Sequence, residues 1–177
     1  FSSENWARPK DEVSGLMQLI EKSTRDEVRT MMANNVRMRI SGRTHELPAS
    51  LQDAFRFAEE TTLGNTGIQF VLAINYGGRA EIVDAVRQIV REGVSPDQIT
   101  EELIAQHLYL PDLPEPDMIL RTAGEMRWSN FLIYQGAYAE LVVTPTTWPE
   151  FRQPDLFHAI CDFQSRQRKF GGLADSP

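Results

Sequence analysis

Hydrophobic and polar positions follow two different rhythms along the chain. In residues 9–33 the apolar side chains recur at steps of three and four, which predicts an amphipathic helix. Residues 36–40 alternate at a step of two, as expected for a half-buried strand. Residues 68–74 are almost all apolar, and this run predicts a strand that is covered on both faces.

Further helices are predicted between and after these strands. Apolar residues at 51–58 indicate a helix that ends near Gly64, and Gly78 opens another helix that ends at Gly93. Ser95 has the side chain of a helix cap, so a fourth helix is expected to begin there. The helix after Gly78 is expected to direct five apolar side chains inward: Ile82, Val83, Val86, Ile89 and Val90.

Two short strands, at 118–121 and 140–144, and a closing helix through 156–163 complete the pattern. The alternation predicts the α/β fold class, with a mainly parallel central sheet flanked by helices. Three prolines at 111–116 exclude a helix, and we interpret this stretch as a surface loop within a single domain over residues 1–177. Ligands of such sheets lie beyond the carboxyl ends of strands. The segments expected at those ends are residues 1–8, residues 75–79, residues 121–130 and Glu140.

Composition narrows the classes of function. The 177 residues carry a net charge of −7 with a pI near 5.0, which argues against a nucleic-acid partner. The longest apolar run, residues 70–74, is far shorter than the roughly 20 residues that span a bilayer. Cys161 is the single cysteine, so a reducing compartment, the cytoplasm, is expected. The first residue is Phe1 rather than Met, and we therefore expect further residues before it.

Polar and aromatic side chains crowd the segment before the first helix. They are Ser2, Ser3, Glu4, Asn5, Trp6 and Arg8. Hydroxyl groups and a guanidinium at a helix start suit an anionic ligand, because the backbone amides and the positive end of the helix dipole add to them. A helix cap with a packed tryptophan would use the same residue types, and the sequence leaves both interpretations open.

A second group of polar residues follows the strand at 118–121. Arg121 and Arg127 offer forked donors that match phosphate oxygens, and Ser129 adds a hydroxyl. Gly124 lets the backbone approach a ligand closely. The alternative is a solvated loop with surface arginines, but the position after a strand end favours phosphate binding.

Glu140 stands at the head of an apolar strand, where an unpaired carboxylate would be costly to bury. It is expected either to pair with an arginine or to hold a hard cation such as Mg²⁺, which takes carboxylates together with substrate phosphates. The sequence contains neither G-x-G-x-x-G nor G-x-x-x-x-G-K-[ST]. A nucleotide or sugar-phosphate binder is therefore a weaker interpretation.

Together these segments resemble the motifs of the cis-prenyltransferase family, the undecaprenyl diphosphate synthase type of isoprenyl transferase. The resemblance runs in order through the whole sequence. The matching stretches are F-S-S-E-N-W at 1–6, N-Y-G-G-R at 75–79, R-T-x-G-E-x-R-x-S-N-F at 121–131, A-Y-A-E-L at 137–141, W-P-E-F at 148–151 and F-G-G at 170–172.

The resemblance implies an enzyme with a hydrophobic tunnel that joins isopentenyl diphosphate to an allylic diphosphate, such as farnesyl diphosphate, in cis geometry to give a polyprenyl diphosphate. It also implies Mg²⁺ as cofactor, a homodimer, and peripheral membrane contact for product release. The alternative is a non-catalytic partner subunit of the same fold. Such a subunit would not need both arginines of the second group together with Ser129 and Glu140, yet all are present.

The resemblance also implies a role for each residue of the site. Glu140 would hold Mg²⁺, and Asn5 would be the proton acceptor or its organiser. Because a neutral amide is a very weak base, we interpret Asn5 as orienting the substrate while a diphosphate oxygen takes the proton. Arg121, Arg127 and Ser129 would grip isopentenyl diphosphate. The full implied substrate-binding set is Ser2, Ser3, Glu4, Trp6, Arg8, Arg121, Arg127, Trp128 and Ser129.

The family's long helix lines the tunnel, and here that helix turns polar at residues 21–24. This patch either faces water or narrows the tunnel and shortens the product, and the first is favoured because charged helix residues are usually solvated. The family's Asp-Gly-Asn motif does not occur in the chain, and we expect it and the first strand to precede Phe1. Lys169 stands where a second arginine is usual, and it lacks the arginine fork.

Overall fold

The computed structural model describes residues 1–167, which fall into two compact units. The first unit is Phe1–Pro111, and the second begins at Asp112. The proline-rich stretch 111–116 therefore lies where the two units divide, and the single domain over residues 1–177 stays a prediction. Lys169 and the Phe-Gly-Gly motif lie outside the described residues.

The first unit builds a parallel pair of strands among four helices. Strands β1 (Arg37–Ser41) and β2 (Gln69–Ala73) pair in parallel, with Ile40 opposite Leu72. The helices are α1 (Lys10–Ala33), α2 (Ala49–Thr62), α3 (Gly78–Arg91) and α4 (Glu101–Gln106). Parallel strands need a crossover connection, and α2 supplies it between β1 and β2. The predicted order of strands and helices is thus confirmed in this unit.

A hydrophobic core lies between α1, α2 and the strands. Val13, Met17 and Val28 are buried on the face of α1 that the three- and four-residue steps predicted. Leu51 and Phe55 of α2 pack into the same core, and Leu51 is 0% exposed. Because each such side chain contributes about 1.5–3 kcal/mol on burial, the core fixes α1 and the segment that leads into it.

β2 is less covered than its apolar sequence predicted. Ile68, just before the strand, is 74% exposed, and Phe70 is 43% exposed. The prediction of a strand covered on both faces is therefore wrong. These two side chains line an open apolar groove beside α1 rather than a closed core.

α3 buries only part of the predicted face: Ile89 is buried as predicted, and Ile82 is half-buried. The valines expected to point inward are exposed: Val83, Val86 and Val90. The buried stripe instead repeats every four residues through Glu81, Ala85 and Ile89. Glu81 accepts hydrogen bonds from the Tyr76 hydroxyl at 2.5 Å and from the Tyr109 backbone N–H at 3.1 Å. A carboxylate with such donors can be buried, and the hydrophobic pattern alone does not reveal them.

The fourth helix begins later than predicted. Ser95 begins only a short 3₁₀ turn at Pro96–Gln98, with its hydroxyl 2.9 Å from Gln98 Oε1. α4 is capped instead by Thr100, whose Oγ1 accepts the N–H of Leu103 at 3.2 Å. Ser95 does cap a structure, but that structure is a short turn. The helix itself begins at the second cap, Thr100.

The second unit contains the remaining strands. β3 (Met118–Arg121) and β4 (Glu140–Val143) pair in parallel, with Arg121 opposite Val143. α5 (Gln153–Ser165) packs against β4. Both strands and the closing helix are confirmed. In the part of the chain that the structure describes, no helix is both long and apolar enough to cross a bilayer.

Candidate active site

The segment before α1 forms a 3₁₀ turn at Ser3–Ala7. The side-chain oxygen of Asn5 accepts the backbone N–H of Ser2 at 2.9 Å, which closes the turn. The N–H of Ser3 donates to the carbonyl of Tyr76 at 3.0 Å. These bonds place the turn beside the residues that follow β2, as the rule of strand ends predicted.

Trp6 is held from two sides at the end of this turn. The ring of Phe1 meets it edge to face, with centroids 5.3 Å apart and planes at 81°. The indole Nε1–H donates to the side-chain oxygen of Asn75 at 2.7 Å. Because Trp6 remains 39% exposed, one part of the ring stays accessible to a ligand.

The charged residues of the segment lie at the surface. Arg8 forms an ion pair with Glu12, with Nη1 2.8 Å from Oε1, and both side chains are about half exposed. Glu4 is exposed and accepts the hydroxyl of Ser3 at 3.3 Å. An ion pair this exposed contributes at most about 1 kcal/mol, so a phosphate could compete for the Arg8 guanidinium.

A cleft of about 520 Å³ opens beside Trp6 and along α1. Trp6, Arg8 and Lys10 line it where α1 begins, and Val13 and Met17 line it one and two turns further along the helix. The other lining residues are Ser14, Gln18, Glu21, Pro48, Ser50 and Leu51. Cations followed by apolar side chains suit a ligand with an anionic head and an apolar tail.

An apolar groove, also about 520 Å³, is lined by α1 and by residues of the two strands, Ile20, Met31 and Phe70 among them. The polar residues 21–24 beside this groove differ in their exposure to water. Lys22 is exposed to water, as favoured from the sequence, whereas Thr24 is only 5% exposed and lines the groove.

In the second unit, Arg121 and Arg127 converge on one carboxylate. Arg121 Nη2 lies 2.6 Å from Oε2 of Glu125 and 3.3 Å from the hydroxyl of Ser129. Arg127 Nη2 lies 2.5 Å from Oε1 of Glu125. Hydrogen bonds from Arg121 and then from Arg127 lower the pKa of the Glu125 carboxyl below its usual value. Two of the predicted phosphate-binding residues thus share one anion, and a third, Ser129, lies against Arg121.

The loop that carries these residues has an unusual backbone. Five residues adopt positive φ angles between 46° and 70°: Ala123, Gly124, Ser129, Asn130 and Leu132. Left-handed backbone is costly for residues other than glycine, and such residues cluster at functional sites. The N–H groups of Ala123 and Gly124 donate to the carbonyls of Thr146 and Thr144, both at 2.9 Å. These bonds hold the loop just beyond the carboxyl ends of β3 and β4.

Trp128 is partly buried within the same loop. Its ring packs so closely on Gly136 that a Cβ added there would lie 2.8 Å from it. Its backbone carbonyl accepts the N–H of Phe131 at 3.0 Å. These contacts give Trp128 a packing role, and its contact with substrate stays a prediction.

Glu140 lies at the other end of the strand pair from Arg121. It is the first residue of β4 and pairs with Met118, whereas Arg121 ends β3. Three residues along a strand correspond to about 10 Å. The grouping of Glu140 with the carboxyl ends of strands is therefore wrong, because a strand begins at this residue rather than ending there.

The carboxylate of Glu140 is paired with an arginine, one of the two alternatives predicted for it. Arg166 Nη1 lies 3.0 Å from Oε2 of Glu140, and its Nη2 lies 2.6 Å from Oδ2 of Asp162. The hydrogen bond to Glu140, followed by the one to Asp162, raises the pKa of Arg166.

At Glu140 a metal ion would be bound by one protein carboxylate rather than by a set of several protein ligands. Among residues 1–167, no three His, Cys, Asp or Glu side chains are grouped closely enough to hold a metal. Mg²⁺ is commonly bound by one or two carboxylates, with water and substrate phosphates completing its shell. A single carboxylate at Glu140 fits that chemistry, and it does not fit a metal that needs an all-protein site.

Three residues of these sites were not predicted as site residues: Lys10, Asn75 and Glu125. Lys10 lines the cleft two positions after Arg8. Asn75 stands at a predicted strand end, and Glu125 lies between two arginines that it could bridge. Asn75 and Glu125 are neutral and acidic, so they do not resemble phosphate ligands, and Lys10 resembles an ordinary surface lysine in the first turn of a helix.

Comparisons with known proteins decide the family. The profile of the Prenyltransf family, which describes undecaprenyl diphosphate synthases, matches residues 1–171. The chain belongs to this family of prenyltransferases. The enzyme class and the α/β fold implied by the sequence motifs are therefore confirmed.

Relatives within the prenyltransferase family agree with this assignment. An isoprenyl transferase of Heliobacterium mobile is 45% identical over 177 residues, which cover 98% of this chain and 68% of that protein. The Escherichia coli K12 enzyme named ditrans,polycis-undecaprenyl-diphosphate synthase ((2E,6E)-farnesyl-diphosphate specific) is 47% identical over 176 residues, 97% of this chain and 70% of its own. The crystal structure of lavandulyl diphosphate synthase from Lavandula x intermedia, in complex with dimethylallyl diphosphate, matches with a TM-score of 0.92 at 36% identity, covering 97% of this chain and 76% of that one.

Proposed function

We propose that this prenyltransferase joins isopentenyl diphosphate to an allylic diphosphate, such as farnesyl diphosphate, and makes the new double bond in cis geometry. Family membership supports the reaction class. The observation that carries the proposal is the convergence of Arg121 and Arg127 on Glu125. Two guanidinium groups that already share one anion are arranged to share the oxygens of a diphosphate.

Isopentenyl diphosphate is proposed to bind beyond β3. Its diphosphate would replace Glu125 on Arg121 and Arg127 and would accept a hydrogen bond from Ser129. Hydrogen bonds to charged groups contribute about 1.5–3 kcal/mol each. The net charge of −7 does not oppose this strongly, because charges separated by more than about 8 Å are screened in physiological salt.

The allylic diphosphate is proposed to occupy the cleft beside α1. Arg8 and Lys10 would attract its diphosphate, and Val13 and Met17 would contact its apolar tail. Trp6 lines the same cleft, and its ring would stabilise positive charge on the allylic carbon by about 0.5–2 kcal/mol. The neighbouring polar contacts proposed for the substrate are Ser2, Ser3 and Glu4.

The reaction breaks a C–O bond and a C–H bond, forms a C–C bond and shifts a double bond. The bond between the allylic carbon and its diphosphate breaks, and the electron pair leaves with the diphosphate. The isopentenyl double bond attacks that carbon, and loss of a proton from the isopentenyl unit forms the new double bond. The side-chain oxygen of Asn5 already accepts the N–H of Ser2, and an amide is a weak base. Asn5 is therefore proposed to orient the substrate while a diphosphate oxygen takes the proton.

Mg²⁺ is the proposed cofactor, and Glu140 is the residue that would hold it. When bound, the ion supplies Lewis-acid stabilisation of negative charge on diphosphate oxygens. Glu140 would have to leave Arg166, which also pairs with Asp162. Because Asp162 remains in place, release of Glu140 does not strip Arg166 of its counter-charge.

The product, partners and compartment are proposed on the same basis. The apolar groove lined by Ile20, Met31 and Phe70 is proposed to receive the growing chain, as part of the family's hydrophobic tunnel. The enzyme is proposed to act as a homodimer in the cytoplasm. Peripheral membrane contact is proposed only for release of the polyprenyl diphosphate.

The proposal is tested by incubating the intact protein with radiolabelled isopentenyl diphosphate, farnesyl diphosphate and Mg²⁺. Incorporation of label into an extractable prenyl product, abolished by EDTA, is expected. Incorporation that survives EDTA would contradict the role of Mg²⁺. An absence of incorporation would favour the non-catalytic partner subunit.

A further inference from the structure

Asn75 is a buried amide that connects three separate parts of the first unit. It follows β2, is 2% exposed, and has a left-handed backbone with φ of 50°. Its side chain bonds to the indole of Trp6, to the backbone of Arg43 and to the carboxylate of Glu46. Asparagine tolerates this backbone conformation better than most residues, so the position suits a side chain that is needed for its amide.

The three partners fix which way the amide faces. Its NH₂ donates to the carbonyl of Arg43 at 3.0 Å and to Oε2 of Glu46 at 2.7 Å, and both partners can only accept. The oxygen must then face Trp6, whose Nε1–H can only donate and lies 2.7 Å away. If the amide were flipped, its oxygen would face the Arg43 carbonyl and the Glu46 carboxylate, which are both acceptors. Its NH₂ would then face the indole N–H, which is a donor. The amide therefore has one satisfied orientation.

The backbone around Asn75 is shaped to permit these bonds. Gly42, with φ of 126°, lies so close to the end of β2 that a Cβ on it would be 2.1 Å from the carbonyl oxygen of Ile74. Only glycine allows this approach, which brings the following carbonyl of Arg43 within reach of the amide. The geometry therefore depends on both strand ends and not on a surface loop.

We propose that Asn75 is a positioning residue that fixes the Trp6 indole at the cleft beside α1. This inference rests on the proposed function, in which the Trp6 ring faces the reacting allylic carbon. Trp6 is 39% exposed, and its other ring contact is the edge of Phe1. The hydrogen bond to Asn75 is directional, so it sets the rotation of the indole ring. An apolar contact alone would leave that rotation free.

The mechanism requires the indole to stay oriented while charge develops. A cation–aromatic contact depends on the cation lying over the ring face. The Glu46 carboxylate polarises the buried Asn75 amide, and the amide in turn strengthens the bond to the indole N–H, as neighbouring hydrogen bonds polarise one another. Asn75 therefore acts on turnover of the allylic substrate through Trp6, without touching the substrate.

The test is a double-mutant cycle in the intact protein, measured as kcat/KM for the allylic diphosphate. Asn75→Gly removes the amide and keeps the left-handed backbone accessible. We expect it to lower kcat/KM by about 3- to 10-fold, the size of one or two neutral hydrogen bonds. Trp6→Phe keeps a ring without an N–H, and in that background Asn75→Gly is expected to change kcat/KM by less than about 2-fold.

Asn35→Gly is the matched control. Asn35 is also left-handed, with φ of 54°, and its amide also forms side-chain bonds, with Thr66. It does not contact Trp6, so wild-type kcat/KM is expected. An equal loss from Asn75→Gly in both backgrounds would overturn the proposal, because the effect would then not pass through the indole.

A spectroscopic measurement separates this inference from the proposed function. The indole N–H signal of Trp6, assigned by its loss in Trp6→Phe, should move upfield in ¹H–¹⁵N spectra of Asn75→Gly and stay in place in Asn35→Gly. An unmoved signal in Asn75→Gly would overturn the inference even in an active enzyme. An inactive wild-type protein with a moved signal would instead refute the function and leave the contact established. If Asn75→Gly does not fold, Glu46→Ala, which removes one acceptor of the amide, is expected to shift the same signal.

Discussion

Arg121 holds Glu125 at 2.6 Å, and the other oxygen of this carboxylate is held by Arg127. Arg121 and Glu125 are four residues apart, but they lie on an extended and strained loop. The contact is therefore not the pairing that a four-residue spacing produces on a helix. It arises because the loop turns back on itself beyond β3 through residues with positive φ. The two guanidinium groups are thereby held in place before any ligand arrives, which lowers the ordering cost of binding an anion.

Removal of either arginine is expected to weaken binding of isopentenyl diphosphate. Arg121→Ala and Arg127→Ala should each raise its KM by roughly 10- to 150-fold, the equivalent of about 1.5–3 kcal/mol per charge-assisted bond. Steady-state kinetics at saturating allylic substrate measures this change. Arg56→Ala is the control, since Arg56 is an exposed arginine paired with Asp53. A KM that stays at the wild-type value in both arginine variants would contradict the assignment.

Glu140 and Asp162 share Arg166, and this allows a paired test of the metal site. Glu140→Gln should raise the Mg²⁺ concentration needed for half-maximal activity, because a neutral amide is a poorer ligand for a hard cation. Asp162→Asn removes the other partner of the same arginine and should leave the Mg²⁺ requirement unchanged. Equal shifts in the two variants would show that Glu140 acts only as a partner of Arg166.

Asn5 is expected to orient and not to accept the proton. Asn5→Asp keeps an oxygen for the N–H of Ser2 and therefore keeps the turn, but it adds a negative charge near a diphosphate. Activity should fall at all pH values between about 6 and 9, because the carboxylate is ionised throughout. A pH–rate profile decides the matter. An Asn5→Asp enzyme that ran faster at high pH, with unchanged substrate affinity, would indicate a base at this position.

The buried face of α3 can be tested by two neighbouring substitutions. Ile89 is 0% exposed and Val90 is 64% exposed. Ile89→Ala should lower the free energy of unfolding by about 2–5 kcal/mol, because it leaves a cavity in a packed interior. Val90→Ala should change it by less than about 0.5 kcal/mol. Urea unfolding measures both, and similar losses would restore the face that the sequence pattern predicted.

His107 gives the first unit a pH dependence near neutrality. Its Nδ1–H donates to the Leu103 carbonyl, 2.7 Å away, and its Nε2 lies 2.9 Å from Oε2 of Glu92. These two contacts, the carbonyl first, raise the pKa of His107 above its ordinary value. A raised pKa means that the protonated ring stabilises the folded state. This stability is complete below the ordinary value near 6.5 and is lost as the pH rises through the raised one.

Glu92→Gln should bring the pKa of His107 down and reduce that loss of stability above pH 6.5. The ring-proton resonance of His107, followed by NMR across this range, reports the pKa directly. Urea midpoints at the two ends of the range report the stability. A variant with an unchanged His107 pKa would mean that the Leu103 carbonyl alone sets it.

Whether a segment forms a helix or a strand could be predicted from the sequence wherever apolar residues set a clear pattern in that segment. α1 could be predicted because its apolar residues keep steps of three and four for six turns. β3 could be predicted because three apolar residues, 118–120, stand between the proline-rich loop and Arg121. For α3, the burial of Ile89 could be predicted but that of Glu81 could not. The Glu81 carboxylate is buried because it accepts hydrogen bonds from Tyr76 and Tyr109, which hydrophobic periodicity does not reveal.

The candidate site was predicted in part for a similar reason. Arg121, Arg127 and Ser129 share one loop, so their local motif suffices to bring them together. Asn75 and Trp6 are 69 positions apart, and their contact depends on where β2 ends against the N-terminal turn. Glu140 was predicted to begin its strand, so its grouping with the carboxyl ends of strands was inconsistent with the sequence itself. Its separation from Arg121 follows from the parallel pairing of β3 and β4.

The central claim is that Arg121, Arg127 and Ser129 hold the diphosphate of isopentenyl diphosphate. A crystal structure of the intact enzyme with a non-hydrolysable isopentenyl diphosphate analogue and Mg²⁺ tests it most directly. We expect both guanidinium groups to have left Glu125 and to lie within about 3.2 Å of phosphate oxygens. Arginines that remain on Glu125, with the analogue's phosphates bound elsewhere, would contradict it.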